Sequence, residues 1–244
     1  MNYPRIDLDL LEREAARLQA TAERLDDRAV AEPSGCEGWA RGHVLSHLAR
    51  HAEALDGVLA AAEGLPAQAF APGELTQGLR PVYRDEADRG TGIEAHAHDS
   101  GADLAAALTM ASSALERRLR ALPARLTEAR VERTPGGALV PLGQLAFQRL
   151  REVVVHHVDL LAGFTFDDLE EETSRLLLAD TLKRIASAEP ELAPRLVHDD
   201  TGAAEVEIGG VTVQGPRARL LSWLLRQQPE GLRSEGALPA VPAT

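Results

Sequence analysis

Apolar positions in the N-terminal part of the chain recur at helical spacing. Leu8, Ala15 and Ala22 fall seven apart, and Leu11, Leu18 and Leu25 repeat that interval three positions on, which predicts an amphipathic helix with one buried stripe. The stretch AEPSGCEG breaks the pattern with a proline and two glycines. A second helix opens near Trp39, carries Val44, Leu48, Leu55, Leu59 and Ala62 at helical intervals, and ends near Gly64. Residues 64–98 are rich in Gly, Pro and charge without a clear period. So long a connection in a compact domain is usually functional, partly helical, or both. Asp99 or Ser100 then caps a third helix that Pro123 stops, and a fourth begins at Pro141 and runs to Gly163. Four long helices within 165 residues predict an all-α four-helix bundle.

Beyond residue 165 the texture changes. DDLEEETSRLLLADTLKRIAS reads as a further helix, RLVHDD, AAEVEIGG and VTVQG as short strands between turn residues, and PRARLLSWLLRQQ as a last helix with Pro216 near its start. The expected organisation is a bundle over 1–165, a small α+β domain over 166–236 and a disordered tail over 237–244.

Composition narrows the classes. Of 244 residues 44% are hydrophobic but only 3% aromatic, so the core is built from aliphatic side chains, which suits helices. A net charge of -12 repels phosphates and argues against nucleic acid or an anionic membrane as partner. Neither an apolar run of about 18 residues nor a charged-then-apolar start is present, and the expectation is a soluble, cytoplasmic protein, monomeric or a small homo-oligomer. The single cysteine, Cys36, excludes an intrachain disulfide and a Cys-cluster metal site. The single lysine, Lys183, falls in a helix that reads as exposed, which disfavours Schiff-base chemistry.

Candidate chemistry lies on two helices. Glu152 and His156, in RLREVVVHHVDL, are four apart and project from one face, since that spacing turns the helix by only about 40° beyond a full turn. A carboxylate and an imidazole so placed suit zinc or iron-type ions, and inward Glu/His pairs are how bundles build such sites. Arg149 and Asp159 on the same side also fit a solvated face, whereas Leu145 and Leu160 interleave with them. The second helix offers His43, His47 and His51, each four from the next. Periodicity does not choose among the three, although His47 shares its side with the small Ala40, Ala54 and Ala61. His96, His98, His157 and His198 read as loop, flank or strand residues.

GCEGWARGHVLSHLARHAEAL, followed about a hundred residues later by REVVVHHVDLLAGF, resembles the mycothiol-dependent maleylpyruvate isomerase family, whose bundle is DinB-like. The resemblance extends more loosely to VTVQGPRARLLSWLLRQQPEGL. It implies His47, Glu152 and His156 as ligands of a divalent metal, most simply Zn²⁺, and so selects His47 over His51. Three protein ligands leave a coordination position open, as in catalytic zinc sites. Asp159 and Gln148 are candidates to orient a ligand. The family places an arginine near the end of the last helix in Trp-Leu-x-Gly-Arg. Here the segment reads Trp223-Leu-Leu-Arg226, without the glycine and with the arginine one position earlier, so Arg226 carries that role only by this displaced match and also reads as a helix-end cation.

The chemistry the resemblance implies is thiol addition. A metal ion stabilises the thiolate of mycothiol near neutral pH, and the chain has no convincing nucleophile of its own, Cys36 reading as a small residue of the turn before the second helix. For maleylpyruvate, thiolate addition makes the cis double bond a single bond, rotation follows, and elimination leaves the trans product with the thiol recovered. Arg149, Arg151 and Arg226 are candidate cations for the anionic substrate. A mycothiol S-transferase that keeps the sulfur on an electrophile, and a metal- or thiol-binding regulator without turnover, are the alternatives. The connection 64–98 is where they would differ.

Overall fold

The computed structural model describes residues 8–65, 74–198, 204–207 and 211–241. The first seven residues, residues 66–73 of the long connection, the flanks of the strand segments at 199–203 and 208–210, and the last three residues of the tail lie outside the described residues. The chain divides into two compact units at Gly163/Phe164.

In the first unit four helices form the bundle: α1 (Leu8–Ala22), α3 (Arg41–Glu63), α5 (Gly101–Ala121) and α6 (Leu145–Asp159). Helices α1 and α3 each pack against both α5 and α6. The expected stripes form the seam: Leu11, Ala15, Leu18 and Ala22 of α1, and Val44, Leu48, Leu55, Leu59 and Ala62 of α3, are all buried. The first helix stops earlier than its pattern suggests, because the Asp26 carboxylate accepts the Ala29 N–H at 2.8 Å and caps a separate turn, α2 (Asp27–Val30). Ser100, one of the two expected caps, opens α5 by accepting the Asp103 N–H at 3.1 Å.

Two elements lie where periodicity is silent. Within the long connection, Asp85 caps α4 (Glu86–Glu94) by accepting the Asp88 N–H at 2.7 Å. Ahead of α6, β1 (Arg130–Glu132) and β2 (Leu139–Pro141) make an antiparallel hairpin with Val131 opposite Val140. Pro141 therefore ends a strand and does not start the fourth helix; a 3₁₀ turn over Leu142–Gln144 intervenes before Leu145. Proline donates no ladder bond and is tolerated at a strand end. The hairpin also carries the connection, since Val82 N–H and Tyr83 N–H donate to Glu132 and Arg133 carbonyls, each at 2.9 Å.

The second unit holds α7 (Glu171–Ala188), β3 (Arg195–His198), β4 (Ala204–Glu207), β5 (Thr212–Gly215), α8 (Arg217–Arg226) and β6 (Arg233–Ser234). Its sheet has the order β4-β3-β5-β6, with β3 and β5 parallel and the outer pairs antiparallel. The architecture, mostly helical with a small C-terminal sheet, is the all-α plus α+β fold expected. Strand β6 is too short to leave a period. In the tail, Val241 is buried and its carbonyl accepts from Gln227 Nε2 at 3.0 Å. Among the described residues no helix is long and apolar enough to cross a membrane.

Candidate metal centre and the cavity beside it

Helices α3 and α6 bring His47, Glu152 and His156 together, with one donor atom from each lying within 4.8 Å of the others. Glu152 Oε2 is 2.9 Å from His47 Nε2 and 3.4 Å from His156 Nε2, and the two imidazoles meet edge to face with centroids 4.7 Å apart. The Glu152/His156 pair converges because of its i,i+4 spacing; His47 joins it because α3 crosses α6 at that level. The other two histidines of the α3 row go elsewhere. His51 is buried one turn on, its Nδ1 3.4 Å from Arg149 Nη1. His43 sits at the start of α3 beside Glu94 and His98, another trio of potential donors. The Ala40 N–H donates to His43 Nδ1 at 3.2 Å, so the His43 proton is on Nε2, facing Glu94 Oε2 at 3.2 Å, and no lone pair is free there for an ion.

The opposite tautomer is imposed on His156. Its Nδ1 lies 2.8 Å from Asp159 Oδ2, and because a carboxylate only accepts, Nδ1 carries a proton and Nε2 is the nitrogen turned toward Glu152, where an ion would displace the second proton. Asp159 is only 1% exposed and is locked from behind. The Gly35 N–H donates to its carbonyl at 2.7 Å, and a Cβ on Gly35 would stand 3.1 Å from Asp159 Oδ1. Of the two residues expected to orient a ligand, Asp159 holds His156 and Gln148 forms no hydrogen bond within the trio. Cys36, expected to be a bystander, places its Sγ 3.4 Å from Asp159 Oδ2 and 3.8 Å from His156 Nδ1.

Charge states follow from these contacts. Burial is the largest influence on His47 and pushes its pKa down to about 4, against the hydrogen bond it donates to Glu152; burial likewise takes His51 to about 3. Both are neutral at pH 7. Burial alone would raise the Glu152 carboxyl, but hydrogen bonds from His156 and His47 outweigh it and hold the group well below its usual range. For His156 burial works toward neutrality and is outweighed by Asp159, Cys36 and Glu152, which hold the imidazole well above its ordinary value. The centre is thus an anion flanked by two imidazoles whose protons occupy the place a cation would take.

Among the arginines expected to meet substrate, Arg149 is 1% exposed and bolts three helices together, donating to the Leu48 carbonyl at 2.8 Å and to Ser112 Oγ at 3.1 Å. Arg151 is also buried. Arg226 ends α8 in the second unit, where its guanidinium reaches the Leu225 carbonyl. Lys183 is exposed on α7, His157 is buried against Thr21 on α1, and His96 pairs with Asp99 at the surface.

Next to the trio lies a cavity of about 320 Å³ between α3 and the connection that carries α4. His47 and His51 line one side, Tyr83, Arg89 and Ile93 the other. Sequence periodicity gives no hint of Tyr83 or Arg89, since neither belongs to a repeating stripe; the Asp85 cap three residues ahead of Asp88 is the one local sign of a helix there.

A helical bundle with an inward His–Glu–His set and a cavity beside it defines the class: a four-helix-bundle protein with a candidate metal centre in its core. The chain belongs to the mycothiol maleylpyruvate isomerase N-terminal domain family, whose model matches residues 11–161. Crystal structures of a mycothiol-dependent maleylpyruvate isomerase and of its histidine-to-alanine variant share the fold, each with a TM-score of 0.81 at 24% identity over 97% of this chain and 95% of theirs. No curated protein matches the chain.

Proposed function

We propose that the protein is a mycothiol-dependent cis-trans isomerase of a small unsaturated acid of the maleylpyruvate type, with His47, Glu152 and His156 holding a divalent metal ion. The observation that carries this reading is the Asp159–His156 hydrogen bond. It fixes the one tautomer of His156 that offers Nε2 to an ion, in a set that already unites a carboxylate with a neutral imidazole. This donor set fits zinc, and three protein donors leave room for an exogenous sulfur. When bound, such an ion supplies the positive charge that keeps a thiol ionised near neutral pH.

The chain's own residues supply the rest. Glu152 balances the ion's charge and spans both imidazoles. Asp159 keeps the proton on His156 Nδ1 and the ring in place. Arg149 fixes α3, α5 and α6 relative to one another, so the donors on α3 and α6 keep their separation. Arg226 is retained as an anion-binding residue on the resemblance of the last helix alone.

The decisive experiment incubates the protein with mycothiol and maleylpyruvate and follows the product by absorbance and mass. Fumarylpyruvate with the thiol unconsumed is the expected result. A stable thioether adduct with other electrophiles and no isomerisation would convert the reading to an S-transferase, and no turnover with either would leave a binding protein. Metal analysis should find about one divalent ion per chain, lost in His47→Ala. An ion retained at full stoichiometry would sink the ligand assignment.

A further inference from the structure

The cavity beside the trio contains polar groups that the fold leaves without partners. Most of its charge is neutralised locally: Arg50 pairs with Glu53 at 2.7 Å, and Asp88 with Arg84 at 2.8 Å. Arg89 is different. The carboxylate nearest to it, Glu86, is 3.6 Å away, its Nη2 lies 3.4 Å from His47 Nδ1, and its Nε is buried with no hydrogen-bond partner. The Tyr83 side chain is only 9% exposed, and its hydroxyl is also buried and unpartnered. The two groups are neighbours, with the Arg89 guanidinium carbon 5.8 Å from the Tyr83 ring centre. Burial pushes the Tyr83 phenol up to about 12, so at neutral pH it offers a proton.

The Arg89 Nε–H and the Tyr83 O–H are buried protons without an acceptor, which is costly. A cation and a phenol O–H together match an oxyanion such as a carboxylate, for which charge-assisted hydrogen bonds are the strong ones. At about 320 Å³ the cavity has room for a short acyclic acid. His47 lines the same cavity, so an acid held there lies against the trio.

We propose that Arg89 and Tyr83 form the carboxylate-recognition subsite for the electrophilic substrate. The proposal rests on the thiol-dependent reading for the reaction the acid undergoes, while binding of the acid is measured without thiol. Arg89 provides the charge and Tyr83 the direction. Both come from the connection that is docked on the hairpin, whereas the metal donors come from the bundle helices.

The test is calorimetric titration of maleate into the full-length protein, with dimethyl maleate as the uncharged probe. Maleate should bind and the diester should not. Arg89→Gln should weaken maleate binding roughly ten- to a hundredfold and Tyr83→Phe several-fold, and Arg89→Lys should restore part of the loss. Glu152→Gln, which removes a proposed metal donor, should keep maleate binding. In turnover, Arg89→Gln should raise KM for the acid more than it lowers kcat. Thermal melts of each variant identify loss of fold, and Tyr83→Phe, which removes one buried atom, preserves the test if Arg89→Gln is unstable. Absence of maleate binding to the unaltered protein, or equal binding by Arg89→Gln and Tyr83→Phe, overturns the proposal. So does binding lost in Glu152→Gln and kept in Arg89→Gln, which would put the carboxylate on the metal. Maleate binding that depends on Arg89 in a protein without isomerase activity would leave the subsite standing and remove the isomerase reading instead.

Discussion

Replacing Asp159 by asparagine removes one negative charge and changes almost no volume. In the folded chain Asp159 Oδ2 accepts from His156 Nδ1 at 2.8 Å and from the Cys36 thiol at 3.4 Å, and at 1% exposure no water can take over the acceptor role. A hydrogen bond to a charged group is worth about 1.5–3 kcal/mol, and loss of a carboxylate behind a histidine ligand typically costs about 10- to 100-fold in metal affinity. The two figures agree, since tenfold is about 1.4 kcal/mol. An amide also offers its own N–H to His156 Nδ1, which favours the tautomer with the proton on Nε2 and opposes an ion directly. Zinc affinity measured by competition with a chromophoric chelator should therefore fall about 10- to 100-fold in Asp159→Asn. The gain in melting temperature on adding saturating zinc should shrink by several degrees, at roughly 2–4 °C per kcal/mol for a domain of this size. An affinity within twofold of the unaltered protein, in a variant whose metal-free melt is normal, would refute the orienting role and with it the observation on which the metal centre is argued.

Two further outcomes follow from the packing. Glu116 has its carboxyl pushed up to about 7 from 4.5, by burial first and by Glu12 second, against the pull of Arg149. The unfolded chain therefore ionises it first, and the stability it contributes, full below about pH 4.5, is lost as pH rises toward 7. Complete enclosure would make that loss about 3 kcal/mol, and the half-exposed position reduces it to about 1 kcal/mol. Glu116→Gln should accordingly raise the midpoint of urea unfolding at pH 8 and leave it unchanged at pH 4; an equal shift at both would disprove the titration account. Gly42 faces the segment after α4, where an added Cβ would stand 2.2 Å from the Ala97 carbonyl oxygen. Gly42→Ala should destabilise the protein by about 1–3 kcal/mol and increase proteolysis within 74–98, and a melt identical to the parent would show that this contact is not tight in solution.

Helices α1 and α5 were legible because each leaves a polar side, so that a period of 3.6 survives, while α3 and α6 are buried over most of their surface and showed mainly as long apolar segments between breakers. Helix α3 was readable only as a helix, not in its chemistry: from Val44 to Ala49 every residue is buried, so the wheel could not say which histidine faced α6. That choice depends on a crossing between helices a hundred residues apart, and the family resemblance pointed to His47 where spacing did not. The Glu152/His156 pair was legible because both residues lie on one helix. Asp159 was visible as a candidate, while its grip on His156 depends on the Gly35–Cys36 turn, which comes from the other side of the sequence. Helix α4 was hidden by Gly90 and Gly92, which lower helix propensity. The hairpin was hidden by strands of three residues, too short to show alternation.

One consequence of the hairpin reaches beyond stability. Val82 and Tyr83 hang from the hairpin segment by backbone bonds, and Arg133 adds side-chain contacts, its guanidinium 5.6 Å from the Tyr83 ring centre and 2.7 Å from Glu86. The donors on α3 and α6 are spaced by helices that take no part in that anchorage. On the reading proposed above, the ion's donors and the acid's anchor come from separate pieces of chain, so a descendant of this protein could acquire a new substrate by rewriting the connection while the donor residues stay in place.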